Sequence, residues 1–246
     1  MEIPYAAPPW PGIGKCVESL CRKALHQFSL LEEEKKLSVA LSGGKDSLTL
    51  LFLLHAILGR GFPKLDLFAL HVEGEFSCGA GVSKRYLERI CQELNIPLIV
   101  RTAKFPEGGL ECYRCARERR TLLFEAAKEA GAPLIAFGHH RDDSVNTLMM
   151  NLLHKGEFAA MLPKVPMKRF GVTLIRPLLF VEERQLVEFA KRYGFARVTC
   201  QCPLSSRSMR KQTDAAVSSL EELFPHARAN LARAGLLYGS DKALRP

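Results

Sequence analysis

The chain has 246 residues, a length that predicts one or two domains. Hydrophobic residues make up 47% of the chain and charged residues 25%, and this ordinary globular composition excludes a disordered tail, a collagen-like repeat and a coiled coil. The net charge of +9 favours a polyanionic partner. Because no apolar run reaches the roughly 18 residues of a membrane helix and no secretory signal is visible, we expect a cytoplasmic protein.

Short apolar segments alternate with helical patterns along most of the chain. The predicted strands are 37–41, 65–72, 97–101, 133–137 and 172–176. The predicted helices are 16–31, 48–58, 82–94, 115–130, 142–154 and 182–193. Strands that alternate with helices indicate βαβ units, and therefore a Rossmann-like α/β fold in which helices cover both faces of a parallel sheet.

Three regions are expected along the chain. Residues 1–35 form an irregular leader and a helix, and residues 36–195 form the α/β domain. The predicted strands stop at about residue 196. Residues 196–246 are expected to hold a cysteine loop and a small helical extension, with helices at 207–223 and 226–236.

Positive charge is concentrated in the last quarter of the chain. From Arg184 onward there are 11 Lys and Arg against 5 Asp and Glu, a difference of +6 out of the total of +9. Such an excess is typical of a solvated basic face, and also of a surface that binds a nucleic-acid phosphate backbone. Both interpretations stay open from the sequence.

The segment Ser-Gly-Gly-Lys-Asp-Ser at 42–47 joins the first predicted strand to the next helix. Two glycines let the backbone turn sharply and approach a ligand closely, and a helix N-terminus offers N–H groups to an anion. Ser42 and Ser47 add hydroxyl donors, Lys45 adds a cation, and the Asp46 carboxylate suits a divalent metal that bridges phosphates. The context favours a phosphate loop over an ordinary glycine turn, although the loop is shorter than that of common NTPases.

The chain contains eight cysteines. Their close spacing in a chain expected to be cytosolic favours metal or redox chemistry over disulfides. Four of them have no assigned role, and we expect them to be small, buried hydrophobic side chains: Cys16, Cys21, Cys78 and Cys91.

A C-x-x-C motif at 112–115 places two thiols at the start of a predicted helix, three residues apart and therefore on one face. Arg119 extends this face by one turn, and the neighbouring arginines favour thiolates. Cys200 and Cys202 supply further thiols after the last predicted strand. Four thiolates would suit structural zinc, three would suit an iron–sulfur cluster with one open iron, and inert buried cysteines are the remaining alternative.

The segment Gly-His-His-Arg-Asp-Asp at 138–143 follows the fourth predicted strand. It lies at the carboxyl edge of the predicted sheet, where ligands bind in open α/β folds. Gly138 allows close approach to a nucleotide, and Asp142 or Asp143 could hold magnesium or position a reacting group. Two His and two Asp would also suit a zinc hydrolase, but the phosphate loop at the same edge argues against one. For His140 we expect a hydrogen-bonded loop residue.

Together these segments resemble the tRNA 2-thiocytidine synthetase branch of the PP-loop ATP pyrophosphatases, over about residues 37–211. The loop at 42–47 alone would also fit tRNA-lysidine, GMP and NAD synthetases. The resemblance implies a PP-loop fold of the adenine nucleotide α-hydrolase type. It also implies an ATP-dependent tRNA sulfurtransferase that adenylates the C2 carbonyl of cytidine 32 in the anticodon loop and replaces its oxygen with sulfur.

The resemblance further implies a ligand for each segment. ATP would be held by Ser42, Gly43, Gly44, Lys45, Asp46, Ser47, His71, Val72, Gly138, His139 and Asp143. The residues implied as catalytic are Asp46, Arg119 and Asp142. A 4Fe-4S cluster would be held by Cys112, Cys115 and Cys202, with Cys200 as the alternative third ligand. The implied cofactors are ATP, Mg²⁺ and this cluster.

The implied partners are tRNA, gripped by the basic C-terminal quarter, and a sulfur donor such as a cysteine desulfurase system. We expect no membrane partner, and the sequence is compatible with a homodimer. The zinc-ribbon cysteine pairs of the related thiouridine synthetases are not seen, which disfavours a thiouridine enzyme that acts at position 54.

Two other functions stay open from the sequence. One is a PP-loop ligase of lysidine type that uses no sulfur, in which the four cysteines Cys112, Cys115, Cys200 and Cys202 hold zinc. The other is a non-catalytic RNA-binding or redox-sensing protein that keeps a nucleotide-binding core.

Overall fold

The computed structural model describes residues 5–31, 34–74, 84–103, 112–195 and 209–240. Cys78, Cys200 and Cys202 lie outside these ranges, so what is expected of them stays a prediction. The described residues form six strands: β1 (Lys36–Ala40), β2 (Asp66–Glu73), β3 (Leu98–Thr102), β4 (Leu134–Ala136), β5 (Lys164–Met167) and β6 (Val172–Ile175).

The same described ranges contain eight helices: α1 (Ile13–Gln27), α2 (Lys45–Ile57), α3 (Lys84–Glu93), α4 (Cys112–Glu129), α5 (Arg141–Lys155), α6 (Glu183–Arg192), α7 (Met209–Leu223) and α8 (Ala227–Tyr238). Every predicted helix has a counterpart among them. Across the described part of the chain, none of these helices combines the length and the apolar content that a membrane crossing requires.

The six strands form one sheet in the order β3-β2-β1-β4-β6-β5. Four neighbouring pairs are parallel, as predicted, whereas β5 runs antiparallel to β6. The sequence pattern does not predict β5. This strand has only four residues and includes Pro166, which cannot donate a ladder hydrogen bond and is tolerated at the edge of a sheet.

Successive strand residues alternate between two apolar cores on opposite faces of the sheet. In β1, Leu37 and Val39 lie in the larger core, which α1, α2, α3 and α6 cover, whereas Ala40 lies in the smaller core under α4. In β4, Leu134 lies in the larger core and Ile135 in the smaller one. Helices therefore cover both faces, as predicted, and α2 is buried along nearly all of its length.

The C-terminal helices α7 and α8 pack mainly on α5. Val217 of α7 and Ala232 of α8 form a small apolar cluster with Val145 and Met149 of α5. This cluster is separate from the two cores of the sheet. The C-terminal helices are thus attached to the α/β part mainly through α5, with a further backbone contact between Ala160 and Ser240.

Helices α5 and α7 run side by side in the same direction. Asp143 in the first turn of α5 pairs with Arg210 in the first turn of α7, and one turn later Asn146 donates a hydrogen bond to Asp214 over 3.2 Å. Because α5 begins just after β4, the first turns of both helices lie near the carboxyl edge of the sheet.

The structure describes three of the cysteines without an assigned role, and they differ in burial. Cys21 and Cys91 are buried as expected, and burial raises the pKa of Cys21 to about 12 and that of Cys91 to about 11. The expectation of burial is wrong for Cys16, which is exposed and accepts a hydrogen bond from Gln185 over 3.3 Å. Adjacent residues of a helix point about 100° apart, and the neighbouring Val17 occupies the buried face of α1.

Candidate nucleotide site at the carboxyl edge of the sheet

The loop at 42–47 is held by hydrogen bonds between its own residues. Ser47 Oγ accepts a hydrogen bond from the Ser42 N–H over 3.2 Å and donates one to the Gly44 carbonyl over 3.1 Å. The two serine hydroxyls lie 3.0 Å apart. Gly43 has φ of 84°, a left-handed conformation that favours glycine. The two serines therefore fix the turn from which α2 begins.

Gly138 brings the 138–143 turn against the start of α2. A Cβ atom at this position would lie 3.0 Å from the Asp46 carbonyl carbon and 3.1 Å from the Ser47 nitrogen. No side chain fits there without moving the backbone of the phosphate loop. The glycine therefore allows the turn to contact α2, and this contact joins the two motifs into one site, whereas its approach to a nucleotide stays a prediction.

A cavity of about 460 Å³ opens beside the loop, within the range of about 300–1,000 Å³ that small-molecule sites occupy. Its apolar wall is formed by Leu41, Leu70, Val72, Leu123 and Phe137, and its polar wall by Ser42, Asp46, Ser47, Arg119, His139, Asp143 and Arg210. An apolar wall next to a phosphate loop suits a nucleoside that carries phosphates.

The two histidines predicted to hold adenosine lie in different places. His139 lines the cavity and stacks on Phe137, with ring centroids 5.5 Å apart and planes 9° apart. Burial and the neighbouring Arg176 lower the pKa of His139 to about 3. His71 is buried beneath the loop, where its Nδ1 lies 2.8 Å from the Leu41 carbonyl. Its ring therefore stabilises the end of β1, and Val72 is the residue of this pair that lines the cavity.

Helix α4 brings Arg119 to the same cavity. Its Nη2 donates a hydrogen bond to the Val72 carbonyl at the end of β2. Cys115, one turn earlier on α4, is buried, and Cys112 is the first residue of the helix. Within the described ranges no group of three or more His, Cys, Asp and Glu is placed to hold a metal ion. With Cys200 and Cys202 outside those ranges, the cluster ligands stay predictions.

A second, smaller cavity of about 340 Å³ adjoins the first and shares Asp46, Asp143 and Arg210 with it. Lys45 Nζ lies 3.0 Å from an Asp46 oxygen and 3.1 Å from a Glu183 oxygen. Burial alone would lower the pKa of Lys45, but these two carboxylates raise it. Burial raises the pKa of Asp46 against the opposing effect of Lys45. The smaller cavity is therefore strongly charged.

The adjacent aspartates of the 138–143 turn face different neighbours. Asp143 lines both cavities, and its Oδ1 lies 3.2 Å from Arg210 Nη1. Asp142 turns away from the loop. Its Oδ1 lies 3.2 Å from Arg228 Nη1, and its Oδ2 accepts a hydrogen bond from the Glu183 N–H over 2.8 Å. The structure thus places Asp143, rather than Asp142, beside Asp46.

The charges around the two aspartates set their pKa values. Burial would raise the pKa of Asp142, but the His140 ring, whose Nδ1 lies 3.6 Å from Oδ2, and the hydrogen bond from the Glu183 N–H lower it to about 2. The pKa of Asp143 is lowered by His140 and Arg210 in spite of burial. The same carboxylates raise the pKa of His140, which burial would lower. His140 is also the N-cap of α5, and its backbone N–H donates a hydrogen bond to Asp143 Oδ2 over 3.1 Å.

Three charged residues of the site are missed by the sequence motifs: Glu183 of α6, Arg210 of α7 and Arg228 of α8. The one signal that could have found the arginines is the excess of positive charge in the last quarter of the chain. That excess alone does not say which cation reaches the loop.

The PP-loop domain family matches residues 17–207 of this chain. The tRNA-cytidine(32) 2-sulfurtransferase of Syntrophotalea carbinolica is 35% identical over 223 residues, covering 87% of this chain and 86% of the relative. The enzyme of the same name from Geobacter metallireducens is 33% identical over 220 residues, covering 86% of this chain and 85% of the relative.

A solved structure has a similar fold. It is the U34-tRNA thiolase of Methanococcus maripaludis with its 4Fe-4S cluster, which superimposes with a TM-score of 0.75 at 24% identity. The match covers 91% of this chain and 77% of the thiolase.

Proposed function

Since the chain belongs to the PP-loop family, and within it to the tRNA-cytidine(32) 2-sulfurtransferases, we propose that it uses ATP to replace the C2 oxygen of cytidine 32 in tRNA with sulfur. One observation carries the proposal: the preformed loop at 42–47, Arg119 and the 138–143 turn open onto one cavity. Cys115 lies one turn before Arg119 on the same helix, which supports a role for the C-x-x-C motif close to this site.

The first step activates the base. The C2 carbonyl oxygen of cytidine attacks the α-phosphorus of ATP, the bond to the β-phosphate breaks, and pyrophosphate leaves. Lys45 and the N–H groups at the start of α2 would stabilise the negative charge that develops on the phosphates. The apolar wall of Leu70, Val72 and Phe137 would hold the adenosine.

Carboxylates at the phosphates suit a magnesium ion. Asp46 and Asp143 border both cavities. A Mg²⁺ ion that binds the phosphates of a substrate is usually bound to the protein by one or two carboxylates. These two residues would hold the ion, which would neutralise phosphate charge. Asp142, implied as catalytic by the family, would act by orienting the first turn of α5 and the Glu183 backbone.

The second step introduces sulfur. A sulfur atom at the oxidation level of sulfide attacks the activated C2 carbon and expels AMP, which carries away the original oxygen. Cys112, Cys115 and Cys202, or Cys200 in place of Cys202, would hold a 4Fe-4S cluster. When bound, the cluster would supply the sulfur for this step. Cys115 would be one of these ligands because it lies in the first turn of α4, and a helix N-terminus favours thiolates. Arg119 would neutralise charge on the departing AMP.

The proposal includes partners outside the chain. The anticodon loop exposes the Watson–Crick edge of a splayed-out base, and the basic C-terminal quarter of the chain would contact the tRNA backbone around it. The sulfur would come from a donor such as a cysteine desulfurase system. A cytoplasmic location and a homodimer are compatible with this proposal.

The proposed function is tested with purified protein, reconstituted with iron and sulfide without oxygen. After incubation with tRNA, ATP, Mg²⁺ and sulfide, tRNA nucleosides are analysed by mass spectrometry. We expect 2-thiocytidine that depends on ATP. Pyrophosphate release without any thiolated nucleoside, from protein that contains zinc and no iron, would contradict the proposal and favour the ligase of lysidine type.

Replacing a predicted cluster ligand should separate the two steps. We expect Cys115→Ser to lose 2-thiocytidine formation while calorimetry still detects ATP binding, because Cys115 lies on α4 outside the lining of the nucleotide cavity. Cys91→Ser is the matched control, because Cys91 is also buried but lies in the larger core under α3. Full thiolation by the Cys115→Ser protein would rule out a cluster role for this thiol.

A further inference from the structure

We infer that Arg210 of α7 binds the β- and γ-phosphates of ATP, so that the C-terminal helices supply part of the nucleotide site. This inference rests on the proposed function, because it takes the loop at 42–47 as the site of ATP. Nothing in the sequence motifs assigns a ligand to Arg210.

The position of Arg210 is the first support. It lines both the 460 Å³ cavity, whose apolar wall would hold the adenosine, and the 340 Å³ cavity beside Lys45. Its neighbour Lys211 lines the smaller cavity as well. A nucleotide whose base lies against Val72 and Phe137 would extend its phosphates along the loop at 42–47, toward the smaller cavity. Arg210 is at the boundary between the two.

The way α7 is fixed is the second support. The apolar contact of Val217 with α5 and the hydrogen bond from Asn146 to Asp214 set the position of α7 independently of Arg210. The first turn of α7 consequently meets the first turns of α2 and α5 at the smaller cavity. Helix N-termini favour negative charge nearby, so the side chain of Arg210 enters an environment suited to a polyanion.

The Arg210 guanidinium has N–H donors beyond those used in its ion pair with Asp143, and these can bind a phosphate. Arg210 Nη1 lies 3.2 Å from Asp143 Oδ1, and the Arg210 side chain is 50% exposed whereas that of Asp143 is 14% exposed. An arginine carries five N–H donors, so it can keep Asp143 and still bind a phosphate through two parallel hydrogen bonds. Arg210 borders both cavities.

The charge balance of the smaller cavity is the third support. Lys45 is shared between Asp46 and Glu183, at 3.0 and 3.1 Å, so its charge is largely compensated before a ligand arrives. A triphosphate that enters among these carboxylates needs further cations. Arg210 and Lys211 are the cations that α7 brings to this cavity.

The inference is tested by calorimetry of the full chain with three ligands: ATP, AMP and inorganic pyrophosphate. The variants are Arg210→Gln, Arg210→Lys and the control Arg233→Gln, which removes the same charge from an exposed position of α8. We expect Arg210→Gln to weaken ATP and pyrophosphate roughly tenfold or more, the effect of a lost charge-assisted pair of hydrogen bonds. AMP should bind almost as before, Arg210→Lys should recover part of the loss, and Arg233→Gln should have no effect.

Two results would overturn the inference. Unchanged ATP affinity in Arg210→Gln would show that the side chain does not bind phosphate. An equal loss of ATP and AMP affinity would show that Arg210 only holds α7 in place. Should Arg210→Gln fail to fold, the difference between ATP and AMP in Arg210→Lys decides between the same outcomes. If the wild-type chain binds no ATP, the proposed function itself fails, which is distinguishable from a wild-type chain that binds ATP and is insensitive to Arg210.

Discussion

The α/β part of the molecule and the C-terminal helices meet at the nucleotide site, but they are held in different ways. The α/β part is built around continuous apolar cores on both faces of the sheet, with α2 almost fully buried. The C-terminal helices contribute Val217 and Ala232 to one small apolar cluster. Their other attachments are polar: hydrogen bonds join Asn146 to Asp214 and Ala160 to Ser240, and ion pairs join Arg210 to Asp143 and Arg228 to Asp142.

The two parts of the molecule therefore differ in how far a ligand or a change of charge can alter their structure. The phosphate loop and the 138–143 turn are anchored in the cores, so their geometry is set before any ligand binds. Helices α7 and α8 are held in part by ion pairs with Asp143 and Asp142, and a nucleotide or a change of pH can alter these charges. The site should therefore respond to a change of charge in its C-terminal half while the sheet stays folded.

The largest expected effect comes from the buried Arg228, whose side chain is 7% exposed and contacts Asp142, Asp214 and Glu221. Arg228→Ala leaves these carboxylates without their cation, and removing one partner of a buried ion pair costs about 3–5 kcal/mol. We expect hydrogen–deuterium exchange to speed up in α7 and α8, while the amides of β1 and β4 stay protected.

Arg233→Ala is the matched control for Arg228→Ala, because Arg233 is exposed on the same helix. It should change the free energy of unfolding by no more than about 0.5 kcal/mol. Equal acceleration of exchange in β1 and in α8 by Arg228→Ala would mean that the two parts unfold together, and the distinction between them would be wrong.

The second effect is on the chemistry of the α/β part. Asp46→Asn should slow tRNA-dependent pyrophosphate release by about 100-fold or more, the size of effect seen when one preorganised electrostatic group is removed. Its thermal stability should not fall, because burial raises the pKa of Asp46 and thus disfavours its charged form in the folded state. Asp66→Asn, at the exposed start of β2, is the control. A large loss of stability in Asp46→Asn would mean that the site is not independent of the core.

The smallest effect is a pH dependence carried by His139. Burial and Arg176 lower the pKa of His139 to about 3, below its ordinary value of 6.5. Between these values the folded state binds fewer protons than the unfolded state. The free energy of unfolding should therefore fall as the pH falls from 6.5 toward 3, by at most about 1.4 kcal/mol per pH unit from this one group.

The pH effect is measured by urea denaturation between pH 6.5 and 4.5, an interval that lies above the window in which Asp142 would lose its contribution. His139→Gln should reduce the slope without abolishing it, because burial also lowers the pKa of His71 and His55. His154→Gln, at an exposed position of α5, should leave the slope unchanged. An unchanged slope in His139→Gln would mean that the stacked ring is not the group that titrates.

The sequence pattern predicts the α/β part well for a physical reason. Strands buried on both faces are continuous apolar runs, and the phosphate loop must combine glycines with hydroxyls and a cation at a helix start. The sequence therefore predicts that residues 42–47 and 138–143 lie at one edge of the sheet, and both segments line the same cavity. The exception, β5, is a short edge strand with Pro166, and such a strand leaves little periodic signal.

The charged half of the site could not be predicted in the same way. Asp142 and Asp143 are adjacent in sequence, but neighbouring helix residues point about 100° apart, so which one faces the loop depends on how α5 is rotated. Arg210 and Arg228 come from helices about 70 and 90 residues later in the chain. Their contacts depend on how α7 and α8 pack on α5, which no local pattern encodes.

The most direct test of the proposed function is nucleoside mass spectrometry of total tRNA from cells with and without this gene. We expect 2-thiocytidine to disappear when the gene is deleted. The wild-type gene should restore the nucleoside, and the Asp46→Asn gene should not. Unchanged 2-thiocytidine after deletion would contradict the assignment to cytidine 32, and a loss of a different thiolated base would redirect the same ATP-dependent chemistry to that base.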